Sequence, residues 1–91
     1  MPIQPDSRPV LPRHIKLRFD KARDSWVLLS PERALVLDEI GADILQRVDG
    51  KASVSQIAAQ LAAEYDAPPA DIAADVTAFL QDLADKRLLE G

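Results

Sequence analysis

The residues of this chain that could do covalent or acid–base chemistry are few and scattered. One histidine, His14, stands in a chain with no cysteine and has no pair of carboxylates near it. That is a poor metal site, and a structural or surface role suits it better. Ser7, Ser25, Ser30, Ser53 and Ser55 fall at turns and caps, and no G-x-S-x-G elbow presents any of them as a nucleophile. Gly41, Gly50 and Gly91 are too dispersed to cradle a phosphate. Asp71 and Asp75 lie one helical turn apart, but no apolar pocket sets one pKa above the other, so they read as a solvated face. The chain therefore shows no catalytic constellation, no metal site and no cofactor site. It reads as a binding module and not an enzyme.

What such a module offers is backbone and surface, so the elements that present them come next. The stretch Trp26 to Asp38 holds two short apolar runs, Trp26–Leu29 and Ala34–Leu37, around the polar corner Ser30-Pro31-Glu32-Arg33. Proline suits the second position of a turn, and Val, Leu and Trp suit a half-buried pleated surface, so a hairpin is expected. Before it, His14 to Asp20 alternates, with Ile15, Leu17 and Phe19 on one face and Lys16 and Arg18 on the other. Asp20 to Asp24 is a loop of hairpin length. The simplest topology is a three-stranded antiparallel meander. Its first strand is an edge guarded by Lys16 and Arg18, while its third is apolar and uncharged until Asp38, which leaves that edge open.

From Leu37 the period becomes helical. Leu37, Ile40, Ile44, Leu45 and Val48 form one stripe, with Asp38 and Glu39 in the first turn and Asp49-Gly50 at the end. Ser53 to Gln56 is a capping box that opens a second helix burying Val54, Ile57, Ala58, Leu61 and Tyr65. A third helix starts near Pro69 and buries Ile72, Val76, Phe79, Leu80 and Leu83, with Leu88 and Leu89 folding back on the core. The expected class is α+β: a small winged-helix-like domain over 14–91, a three-stranded antiparallel sheet followed by a three-helix bundle. Residues 1–13, with prolines at 2, 5, 9 and 12, are expected as a flexible, extended arm.

At 91 residues there is room for one small core. No apolar run approaches the ~20 residues that a bilayer demands, and no basic-then-apolar start suggests export, so a cytoplasmic protein without membrane contact is expected. Net charge is −4, unevenly spread: residues 1–33 carry seven Lys/Arg against four acids, and residues 34–91 four against eleven. A winged helix that reads DNA needs Arg, Lys, Asn or Gln on its recognition helix. Here the third helix offers Asp71, Asp75, Asp82 and Asp85, which phosphates would repel, so nucleic acid is not the expected partner. An extended peptide can instead add to the open third strand, an occupant that the residues alone leave level with the alternatives. The alternatives are a generic adaptor role and an edge covered by the arm or by a second copy in a homodimer.

Taken together, Trp26-Val27-Leu28-Leu29-Ser30-Pro31-Glu32 resembles the W-x-L-L-x-P-E signature of the PqqD family of pyrroloquinoline quinone (PQQ) biosynthesis. The likeness runs on through Leu37-Asp38, Ile44-Leu45, Asp49-Gly50, Ile57, Leu61, Asp75-Val76 and Phe79-Leu80, over roughly residues 8–90. It implies a peptide chaperone, the type example of the RiPP recognition element. Such a protein would hold the ribosomal precursor peptide PqqA and present it to the radical SAM enzyme PqqE. It implies a peptide site on Ala34, Leu35, Val36, Leu37 and Asp38, walled by Asp75, Val76, Phe79, Leu80 and Leu83. The basic residues Arg8, Arg13, Lys16 and Arg18 are expected to steer an acidic peptide. Where many family members have a glycine before the final Leu-Leu pair, this chain has Lys86-Arg87, so a glycine-type cap is absent and the last helix is expected to run on.

Overall fold

The computed structural model describes residues 2–91, and they form three strands and then three helices: β1 Lys16–Asp20, β2 Ser25–Leu29, β3 Ala34–Val36, α1 Glu39–Gln46, α2 Val54–Tyr65 and α3 Pro69–Asp85. The sheet is the antiparallel meander β1-β2-β3, the α+β order expected. Its register aligns Leu17, Leu28 and Leu35 on the helix-facing side, and Arg18, Val27 and Val36 on the other. Leu28 is fully buried beneath α1 and the rest of the core. Val27 is only 6% exposed although it lies on the outer face, because its register partners Arg18 and Val36 flank it on the neighbouring strands.

Polar side chains close each corner. Asp20 Oδ1 accepts from the N–H groups of Ala22 and Arg23 in the β1–β2 loop, and Ser30 Oγ accepts from Arg33 N–H in the β2–β3 turn. Asp38 is the N-cap of α1, its Oδ1 accepting from Gly41 N–H at 2.7 Å. Helical phase therefore begins at Asp38, while Leu37 still donates its N–H to Trp26 of the sheet. For that reason Ile40, expected in the buried stripe of α1, is 47% exposed. Between α1 and α2 the Asp49 carboxylate accepts from the N–H groups of Ala52 and Lys51, which hold its pKa below the usual carboxylate value.

The capping box of α2 forms as expected: Ser53 Oγ accepts from Gln56 N–H and Gln56 Oε1 from Ser53 N–H. Tyr65, also expected in the core, is exposed and donates its hydroxyl to Asp43 of α1, beside an Arg47–Glu64 ion pair joining the same two helices. Carboxylate acceptance favours the neutral phenol and pushes the Tyr65 pKa from 10.0 to about 12. Stabilisation from this bond is complete below pH 10 and is lost as pH climbs through about 12. Tyr65 is the sole tyrosine, so ultraviolet titration should show one phenol midpoint near 12, returning towards 10 in Asp43→Asn. A midpoint near 10 in the parent chain would contradict the α1–α2 tie.

The last helix ends at Asp85 and does not run on. Leu88 N–H donates to Leu83 C=O at 2.9 Å and Arg87 N–H to Ala84 C=O at 3.0 Å, the paired bonds of a Schellman cap. Its left-handed position is occupied by Arg87, at φ +61°, in place of glycine. That backbone costs a side-chain-bearing residue roughly 1 kcal/mol more than glycine. Leu88 and Leu89 close over Leu83 in the core.

Residues 2–13 form no helix or strand; a turn closed by Ser7 N–H on Gln4 C=O bends them, a second follows at Pro12 to Ile15, and they are docked on the rest of the chain. Pro9 and Ile3 are buried, Val10 and Glu90 form an antiparallel bridge, and the carbonyls of Ser7 and Pro5 accept from the first two N–H groups of α2. Proline lacks a donor but keeps its carbonyl, which is why a proline-rich segment can cap a helix start. No helix among the described residues is long and apolar enough to cross a membrane.

Candidate functional site

The open edge can be described group by group. Ser30 N–H donates to Arg33 C=O and Leu37 N–H to Trp26 C=O, both at 2.9 Å. With Leu28 opposite Leu35, these bonds set the alternation of the antiparallel ladder. Leu35 exchanges hydrogen bonds with Leu28, so Ala34 and Val36 turn their N–H and C=O groups away from the sheet. Both residues are exposed, Val36 to 53%, and no strand lies beyond β3 among the described residues. An edge of this kind accepts an extended backbone whose own groups repeat every second residue.

One wall stands beside it. On α3, Asp75, Phe79, Asp82 and Lys86 recur at helical spacing on one side. Phe79 is half-buried and its ring lies on the first turn of α1, where a Cβ at Gly41 would sit 3.2 Å from two ring atoms and 3.0 Å from Asp38 Oδ1. Glycine at 41 thus lets the ring settle behind the end of β3. At the other end, Arg33 from the β2–β3 turn and Arg87 from the α3 cap line a common cavity of about 270 Å³ with His14, Glu32 and Lys86. Lys86 is paired with Asp82 at 2.9 Å.

The expected site residues separate into two groups. Ala34, Val36, Asp38 and Asp75 are exposed, and Leu35, Leu37 and Phe79 are partly buried, so these seven line the edge or its wall. Val76, Leu80 and Leu83 are 1%, 0% and 3% exposed and pack in the core. Asp38 already has a duty as the α1 cap. Of the basic residues expected to steer, Lys16 and Arg18 lie on β1, two strands from β3, and Arg8 and Arg13 lie in the N-terminal segment. Two strand spacings are about 10 Å, near the Debye length at physiological salt, so their field at β3 is largely screened. Sequence patterning missed Arg33, Gly41 and Arg87. Of these, Gly41 alone carried a signal, a glycine in the first turn of a helix.

The family model for coenzyme PQQ synthesis protein D (PqqD) matches residues 25–89, most of the chain and all of the edge. The chain belongs to the PqqD family. A relative from Rhodopseudomonas palustris strain BisB5, named PqqA binding protein, is 59% identical over 83 residues, covering 91% of this chain and 81% of its own. The solution structure of the PqqD truncation of Methylobacterium extorquens PqqCD, described as a functional and stand-alone RiPP recognition element, is 47% identical with a TM-score of 0.85. It covers 98% of this chain and 95% of that one. TbiB1 in complex with the TbiA(beta) leader peptide is 26% identical with a TM-score of 0.78, over 90% and 95% of the two chains.

Proposed function

We propose that this PqqD-family chain is a non-catalytic carrier that binds the ribosomal precursor peptide PqqA as a fourth strand against β3 and presents it to the modifying enzyme PqqE. One observation carries the reading: the hydrogen-bonding groups of Ala34 and Val36 point outward along an open edge, with the Phe79 side of α3 beside them. Relatives named for PqqA binding and a fold neighbour holding a leader peptide support the same assignment. Leu35 and Leu37 hold the edge against the core, and Val36 supplies an apolar contact to the incoming strand.

The experiment is an amide NMR titration of the labelled chain with synthetic PqqA. The largest shifts are expected at Ala34, Val36 and Asp38 and along Asp75 to Asp82, with β1 little affected. Shifts confined to β1 and the N-terminal segment would overturn strand addition. The same edge can pair with a second copy, and sedimentation without peptide tests that occupant. Steering by Arg8, Arg13, Lys16 and Arg18 should appear only as an association rate that falls with added salt, and a salt-independent rate overturns it.

A further inference from the structure

We infer that Arg33 and Arg87 form a carboxylate subsite at the end of the β3–α3 edge, taking an acidic side chain or the terminal carboxylate of the bound peptide. The inference rests on strand addition at β3 and names what the peptide must carry there.

The backbone gives the first argument. Arg87 occupies the one position of the α3 cap where glycine would be unstrained, so the fold itself gains nothing from an arginine. A strained residue kept at a surface invites a role for its side chain. Placement gives the second. Arg33 immediately precedes Ala34, whose outward groups would pair with the peptide, and Arg87 lines the same cavity of about 270 Å³. The two cations thus come from the two elements that would flank a peptide strand.

Charge accounting gives the third. The ion pairs among the described residues are Arg23–Asp20, Arg47–Glu64 and Lys86–Asp82, so neither Arg33 nor Arg87 is neutralised. Glu32 also lines the cavity but forms no ion pair with either. Two exposed, unpaired arginines lining one cavity suit a carboxylate, whose two oxygens match the planar fork of a guanidinium. The wall towards the other end is acidic at Asp75, so the edge also has an electrical direction.

The test is calorimetric titration of the full chain and its Arg87→Gly and Arg33→Gln variants with PqqA peptides. In these peptides each acid is amidated singly or the C-terminus is blocked as an amide. Arg87→Gly should melt at a higher temperature than the parent yet bind the unmodified peptide about tenfold more weakly. One peptide change should reproduce that loss on the parent and add nothing on the variants, and its position identifies side chain or terminus. Parent-like binding by both variants, or losses that simply add, would overturn the subsite while strand addition stands. Failure of the parent to bind any peptide would overturn both.

Discussion

Val36→Pro should weaken PqqA binding by at least about tenfold while the domain stays folded. The expectation follows from which way one N–H points. Val36 sits opposite Val27 in a pair that exchanges no hydrogen bonds, so its donor faces away from the sheet and its loss leaves the β2–β3 ladder intact. Proline at that position removes the donor an added strand would use and sets its ring against the incoming chain. Leu35→Pro is the informative contrast, because Leu35 donates inward to Leu28 and packs against the core. That variant should lose the sheet itself. Calorimetry for affinity and circular dichroism for folding separate the two. Parent-like affinity in Val36→Pro would show that the peptide is held elsewhere.

Leu80→Ala should destabilise the domain by about 2–5 kcal/mol, the usual range for emptying a fully buried leucine site. Leu80 is 0% exposed and packs in the same core as Ile57, Leu61 and Val76. In a domain of this size that loss is a large part of the total. Denaturant unfolding should show a lower midpoint with little change in slope. Asp75→Ala, on the exposed side of the same helix, should leave the midpoint unchanged. If Leu80→Ala lost peptide binding at unchanged stability, Leu80 would be a groove residue after all.

The elements were legible in the sequence because short-range chemistry dictates them. Alternation gave β1, proline in a polar corner gave the β2–β3 turn, and the Ser53–Gln56 box gave the start of α2. The uncharged third strand already marked the open edge. Periodicity failed where one period hands over to another: Leu37 and Ile40 look like one helical stripe, but Leu37 belongs to the sheet's hydrogen bonding and Ile40 to the first turn of α1. On α3 it succeeded, placing Val76, Leu80 and Leu83 inside; it was the family resemblance that also put them in the wall of the peptide site, because a spacing alone does not divide one apolar face between core and groove. Arg87 was hidden because nothing marks an arginine as the left-handed residue of a cap. The N-terminal segment was read from its prolines alone, whereas buried Ile3 and Pro9 and the hydrogen bonds of the Pro5 and Ser7 carbonyls to α2 decide its place.

The brevity of β3 has a consequence in time. Three residues present only two outward ones, so an added strand gains about four backbone hydrogen bonds, each worth about 1 kcal/mol net. By themselves these bonds amount to a hold of about millimolar strength, which at an ordinary association rate of about 10⁶ M⁻¹s⁻¹ lasts about a millisecond. A longer edge would grip harder and keep its cargo past the moment of delivery. On the proposed reading, a peptide added to so short an edge needs no ejecting step and no nucleotide to leave it.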